Sequence, residues 1–165
     1  SGVVAKTESV TFNIPAGVED GMKIRVPGEG NACRNGQSGD LIVLIEEEPH
    51  TELIRDEQDL LYNALISVPT AINGGTIEVP TVDGKCSIKI EPGTQPGKIF
   101  RLKGKGLPSV NSYGVGDLMV SIDVHIPSSV SKEEKKQLEE MESNGNFAPS
   151  ERDRLESAKR FKNRF

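Results

Sequence analysis

The stretch IPAGVEDGMKIRVPGEG, Ile14 to Gly30, decides the fold because the chain contains it twice; its second copy is IEPGTQPGKIFRLKGKG, Ile90 to Gly106. A shift of 76 positions carries Ile14, Gly17, Gly21, Arg25, Gly28 and Gly30 onto Ile90, Gly93, Gly97, Arg101, Gly104 and Gly106. One inserted residue then brings Gly39-Asp40-Leu41 onto Gly116-Asp117-Leu118. Glycines at shared positions mean that both segments need the same backbone torsions or the same close approaches. The chain therefore holds two copies of one small module.

Working outward, Val10, Phe12 and Ile14 alternate with polar residues, which predicts a half-buried strand over Lys6 to Ile14. Pro15-Ala16-Gly17 ends it, Gly21 reverses the chain, and Met22, Ile24 and Val26 alternate with Lys23 and Arg25 in a strand expected to return antiparallel to the first. After a polar loop, Asp40 to Glu47 reads as a third strand stopped by Pro49. Leu53 to Asp59 is charged and opens the second copy. There Leu60 to Val68 reads as a strand, Pro69 to Asn73 as one helical turn closed by Gly74-Gly75, and Thr76 to Val79 with Lys85 to Ile90 as a hairpin. Strands over Lys98 to Lys103 and Asp117 to Ile126 complete it. The second repeated unit thus has strands and a helical turn upstream of it, whereas the first has room for only thirteen residues. That imbalance implies a first module lacking strands, in a chain that starts inside it.

Past Pro127 the composition turns charged and helical. Ser131 with Glu134 three residues later forms a capping-box pattern for a helix over Lys132 to Glu142. A second helix starting near Pro149 or Ser150 puts Leu155, Ala158, Phe161 and Phe165 on roughly one face and six basic residues around the remainder. So narrow a stripe has to dock, on this chain or on a second copy. The basic face suits solvent better than nucleic acid, since the preceding helix is acidic and no aromatic platforms accompany it. The fold class expected is mainly β: two tandem, similar β-sandwich-like modules, the first incomplete, over residues 1–55 and 56–128, then a helical tail over 129–165.

Composition agrees. Seventeen glycines, ten prolines and no tryptophan describe a turn-rich chain with aliphatic cores, and 20 basic against 25 acidic side chains give no general attraction to nucleic acid or an anionic membrane. No run of eighteen apolar residues spans a membrane. Cys33 and Cys86 occupy non-equivalent places in the two copies and read as idle or buried thiols rather than a disulfide.

An enzyme site would have to come from His50, His125, the cysteines and the carboxylates. Glu46-Glu47-Glu48-Pro49-His50 has metal-ligating residue types, but strand alternation splits the glutamates between faces and no second His or Cys stands nearby. His50 reads instead as a turn residue satisfied by backbone. No Ser-His-Asp or Cys-His spacing assembles, and the Gly-rich units lack a Gly-Lys-Ser/Thr ending and a helix after it, so they read as strand-to-strand turns. Neither a catalytic residue nor a metal site is expected, and what remains is binding through apolar surface.

The series Ile14-Pro15-Ala16-Gly17-Val18, Gly39-Asp40-Leu41, His50 with Arg55 and Asp59-Leu60, Val79-Pro80-Thr81-Val82-Asp83-Gly84, Pro92-Gly93-Thr94-Gln95-Pro96-Gly97, Phe100-Arg101-Leu102-Lys103-Gly104-Lys105-Gly106 and Gly116-Asp117-Leu118 closely resembles the C-terminal substrate-binding region of DnaJ-type co-chaperones. The resemblance covers about Val10 to Ser131. It implies tandem β-sandwich-like modules, a homodimer made through the C-terminal segment, and a cytoplasmic, non-enzymatic protein that holds apolar segments of unfolded or partly folded polypeptides. In that family a J-domain with a His-Pro-Asp motif recruits a DnaK-type ATPase, and one class carries a zinc module of Cys-x-x-Cys pairs. This sequence has neither motif, so no cofactor is expected here; its opening resembles the family's segment just C-terminal to the zinc module, which places zinc upstream. By the same resemblance, Met22, Ile24, Val26 and Leu53 are the candidate client groove, and Leu53 stands where the family usually has Phe, which makes the pocket shallower. The same aliphatics would also suit a core. Leu155, Ala158, Phe161 and Phe165 are the candidate dimer contact. The alternative function is a non-catalytic β-sandwich spacer.

Overall fold

The computed structural model describes residues 4–165. They are mainly β, in the order β1 (Lys23–Val26), β2 (Leu41–Leu44), β3 (Leu53–Asp56), β4 (Asp59–Ser67), α1 (Val68–Asn73), β5 (Gly75–Thr81), β6 (Gly84–Ile90), β7 (Ile99–Leu102), β8 (Leu118–His125), α2 (Lys132–Ser143) and α3 (Glu151–Lys162). The chain divides into two compact units, the residues up to His125 and Ile126–Phe165.

The larger unit is built on β4 and β8. Leu60, Ala64 and Ile66 of β4 are buried while Leu61, Asn63, Leu65 and Ser67 are exposed, the period-2 pattern of a strand with one face on a core. β4 pairs with β8 in parallel, Leu60 opposite Leu118 and Ala64 opposite Ile122, in a four-stranded sheet ordered β3-β4-β8-β7. Parallel neighbours cannot be joined by a hairpin, so the intervening chain must cross over. It does so through α1, capped by the Ser67 hydroxyl accepting from the Thr70 amide at 3.2 Å and ended by Gly74 at φ +78°, then through the β5–β6 hairpin. Val79, Ile88 and Ile90 of that hairpin and Ala71 of α1 meet Leu118, Val120 and Ile122 in one core, which makes a two-layer sandwich.

The repeat is a repeat in space. β1–β2 and β7–β8 are the same antiparallel ribbon, with Arg25 opposite Ile42 and Arg101 opposite Met119. Gly17, Gly21 and Gly28 take φ of +86°, +78° and +76°, and Gly93, Gly97 and Gly104 take +80°, +86° and +71°. The Gly30 amide donates to the Gly39 carbonyl, and the Gly106 amide to that of Gly116, both at 2.8 Å. At each ribbon's end one carboxylate ties the knot: Asp40 accepts from the Gly28 amide and Arg25, and Asp117 from the Gly104 amide at 2.9 Å and Arg101 at 2.5 Å.

Three expectations change. Residues 4–15 form no strand, and β1 pairs with β2 rather than with Lys6–Ile14. Alternation says which side chains would share a face, but a strand exists only where a neighbour completes its hydrogen bonds. Leu53–Asp56, read as a charged opening segment, is β3, antiparallel to β4 through a tight turn with Glu57 at φ +55°. The five-residue link proposed for the β5–β6 hairpin tightens to Val82-Asp83, since Thr81 already pairs with Gly84.

In the smaller unit both helices start as the sequence indicates. Ser131 with Glu134, and Ser150 with Asp153, form reciprocal capping boxes. Every residue from Ile126 to Phe165 is exposed.

The Asp117 carboxyl is held below the usual aspartate range, first by the Gly104 amide and then by Arg101. A group depressed on folding contributes stability that is fully present above its unfolded value, about pH 3.9, and lost as pH falls through the lower folded value. Asp117→Asn is therefore expected to lower the melting temperature at pH 7, with its deficit against the unaltered chain closing as acid protonates Asp117; melts from pH 7 to 2 measure this, and a deficit constant with pH contradicts it.

Candidate functional site

A cavity of about 690 Å³ opens where the first ribbon meets the second module. One wall is Val18, in the turn after Gly17; a second is the exit of β2 from Ile45 to His50; a third is Leu53, Ile54 and Arg55 of β3; Leu60, Leu107 and Thr81-Val82 close the back. Apolar residues make up more than half of the lining, which also carries Glu46, Glu47 and Glu48. A cleft of this size, more apolar than polar, is suited to binding an apolar side chain. β3 is also the edge strand of its sheet. An extended segment could add to the sheet along that edge, next to the pocket.

Local geometry explains how Leu53 comes to lie there. After Pro49 the His50 ring turns back, and its Nδ1 accepts from the amides of Glu52 at 3.1 Å and Leu53 at 3.0 Å. His50 is thus the backbone-satisfied turn residue expected. Leu53, half-buried, packs against the sandwich core while also lining the cavity. Arg55, two residues on, points to the same side and reaches across: its Nε donates to the Glu57 carbonyl at 2.9 Å, and its terminal nitrogens to the carbonyls of Val18 at 2.8 Å and Gly17 at 3.2 Å and to the Glu47 carboxylate at 2.6 Å.

Of the four groove candidates, only Leu53 lines the cavity. Met22, Ile24 and Val26 sit half-buried on one face of the β1–β2 ribbon, opposite Ile45, Val43 and Leu41. Ile45 belongs to that face and to the pocket, so the two surfaces adjoin. The second copy shows what the ribbon face lacks. Leu118, Val120 and Ile122, the counterparts of Leu41, Val43 and Ile45, are 0%, 0% and 1% exposed beneath the β5–β6 layer. Val18, Ile45, Arg55 and Leu107 do not stand out as site residues in the sequence. Val18 and Arg55 lie within the motif series, but nothing local says that they meet.

In the tail, Leu155, Ala158 and Phe161 share one side of α3, and Phe161 stacks at a tilt on Phe165, ring centres 5.0 Å apart, just past the helix end. Leu155, Phe161 and Phe165 are 60%, 64% and 95% exposed. Among the described residues no three His, Cys, Asp or Glu side chains converge as a metal site, Cys33 and Cys86 are free thiols, and no helix is long and apolar enough to cross a membrane.

The family described as the DnaJ C terminal domain matches residues 3–127. Similar curated proteins carry the name chaperone protein DnaJ. That of Bacteroides thetaiotaomicron is 54% identical over 165 residues, that of Bacteroides fragilis 55% over 165, and that of Porphyromonas gingivalis 51% over 162. The alignments take in 99%, 99% and 98% of this chain and 42% of each relative's length, so the chain spans less than half of the proteins it resembles.

The turn at Gly17 fits under the second copy's loop with no room to spare. A Cβ there would lie 2.1 Å from the Pro108 carbonyl oxygen, on a backbone already at φ +86°. Gly17→Ala is expected to cost about 2 to 4 kcal/mol, left-handed strain and overpacking together. Gly36→Ala, in open loop with its nearest neighbour at 3.4 Å, should stay within about 0.5 kcal/mol of the parent. Urea unfolding of both variants checks the contrast.

Proposed function

This chain belongs to the DnaJ C-terminal domain family, and from that premise we propose that it is the polypeptide-binding and dimerisation region of a cytoplasmic co-chaperone. It holds extended apolar segments of unfolded clients and passes them to a DnaK-type ATPase recruited through a J-domain, whose His-Pro-Asp motif this chain does not contain. The observation that carries the reading is the largely apolar pocket around Leu53 beside β3, an edge strand of its sheet. A client strand would hydrogen-bond to that edge and drop one side chain into the pocket. The adjoining face of Met22, Ile24 and Val26 extends the apolar surface toward the first ribbon. No catalytic step, nucleic acid or membrane enters this function. Zinc, where the parent protein holds it, belongs to a Cys-x-x-Cys module upstream.

Pairing of two copies goes with it. Helices of twelve residues are marginal in water without a surface to pack on, and neither α2 nor α3 buries a residue. Leu155, Ala158, Phe161 and Phe165 form the stripe that docks against a second chain. Charge favours this: residues 151–165 carry six basic and three acidic side chains, whereas α2 carries five acidic and three basic. Two arms on one dimer then raise the effective concentration of individually weak sites.

Two measurements test the proposal. The chain should suppress aggregation of a chemically unfolded client, and Leu53→Asp should weaken client binding by at least about tenfold, since a buried leucine is worth roughly 1.5–3 kcal/mol and is replaced by a charge. Circular dichroism confirms that the variant stays folded. Equal activity of Leu53→Asp and parent moves the function to the spacer reading. Sedimentation should show a dimer that becomes a monomer on deleting Ala148–Phe165; an unchanged association state removes the tail from the dimer contact.

A further inference from the structure

The pocket's walls come from three places in the chain: the turn at Gly17-Val18, the exit of β2 at Glu47, and β3 itself. One side chain touches all three. Arg55 spends four donor contacts on Gly17, Val18, Glu47 and Glu57, and its side chain is only 17% exposed. A guanidinium has five N–H donors in a fixed plane, so nearly its whole capacity goes to this one junction.

The second copy shows that this is a special arrangement. There the equivalent turn is held by backbone: the Gly93 amide donates to the carbonyls of Ala71 and Ile72 at 2.9 and 3.1 Å, and the Thr94 amide to Ala71 at 3.0 Å, so α1 anchors it. The first ribbon has no such helix among the described residues, and its turn is gripped from the carbonyl side by Arg55. On its other side the same turn lies against Pro108-Ser109. The turn that carries Val18 is therefore clamped between Arg55 and the loop after Gly106. The ribbon's ladder continues straight into this clamp, because the Gly21 amide donates to the Ile45 carbonyl, the Ile45 amide to Met22 and the Glu47 amide to the Asp20 carboxylate, each at 2.8 Å.

We infer that Arg55 is a positioning residue for the pocket: it locks the first ribbon against the second module and thereby sets the distance between Val18, Ile45 and Leu53. The inference rests on the reading of this pocket as a polypeptide site. Arg55 lies in the pocket wall, but in this scheme it acts through the segments it joins, since its donors are committed to Gly17, Val18, Glu47 and Glu57. Its guanidinium plane holds three main-chain carbonyls and a carboxylate at once, which lysine, a point charge with a freely turning ammonium, cannot reproduce. Charge at residue 55 is then insufficient, and the fork is what matters.

The test compares Arg55→Met and Arg55→Lys with the unaltered chain, using a fluorescein-labelled extended peptide of alternating Leu and Ser together with amide hydrogen exchange. Arg55→Met should weaken the peptide at least fivefold and speed exchange at Gly21, Ile45 and Glu47 at least tenfold, while Val120 and Ile122 in β8 keep their protection. Arg55→Lys should match Arg55→Met in both readouts. Peptide affinity within twofold of the parent overturns the inference, as does acceleration of β8 in parallel with the ribbon, which would mark Arg55 as a general stability residue. Recovery of parental affinity by Arg55→Lys also overturns it, since charge alone would then suffice. If the unaltered chain ignores the peptide, or Leu53→Asp leaves its affinity unchanged, the polypeptide reading is what fails; exchange at Gly21, Ile45 and Glu47 against β8 still decides the lock.

Discussion

The larger unit depends on the parallel pairing of β4 with β8. Two strands running the same way must be joined by a chain that leaves the sheet and returns to its starting end. Here the excursion supplies α1 and the β5–β6 hairpin, and these lay Ala71, Val79, Ile88 and Ile90 over the face that β4 and β8 present. The second layer is thus a consequence of the connection. β7 then returns antiparallel at the far edge of β8, and the Arg101–Asp117–Gly104 knot closes that ribbon without adding to the core.

The same ribbon without the same surroundings has a different surface. β1–β2 repeats the pairing, the glycine torsions and the carboxylate knot of β7–β8, yet contributes no residue to the buried core. Backbone geometry is set by local needs, glycine torsion and amide-carboxylate contact, so it survives the change of context. Burial is set by neighbours, so it does not. Leu41, Val43 and Ile45 remain half exposed for this reason. An apolar face adjoining a pocket, on a ribbon held by polar contacts, results.

The sequence is informative where a residue's role is local. Gly17 with Gly93 and Gly28 with Gly104 announce shared torsions, and Ser131 and Ser150 announce helix starts because a cap needs only its own next three residues. Non-local requirements stay hidden. Val10, Phe12 and Ile14 alternate properly, but no ladder partner makes them a strand. β3 is obscured because Arg55 and Asp56 look like solvated charge, although Arg55 points inward to meet Glu47. The pocket has no sequence signal of its own, since Val18, Ile45, Leu53 and Leu107 come from distant segments. Leu53 is reached by resemblance, and Gly17's need for space becomes visible only once Pro108 lies over it.

A pocket of this kind is limited in what it can hold, and the limit bears on the tail. Burying one leucine-sized side chain gains about 2 to 3 kcal/mol, whereas bringing two molecules together costs at least about 4 kcal/mol of lost freedom. One filled pocket alone therefore does not retain a client, and adding a short run of edge-strand hydrogen bonds, each worth about 1 kcal/mol net, brings the balance only as far as a weak site. On the proposed function, retention has to come from a second site on the same client, which a paired chain supplies without any tighter contact. Weak single sites are also what transfer demands, because a client held through two weak contacts can be released one contact at a time. On that proposal, the exposed stripe on α3 and the pocket at Leu53 belong to one mechanism, in which the tail would set the avidity and the Arg55 junction the geometry of each arm.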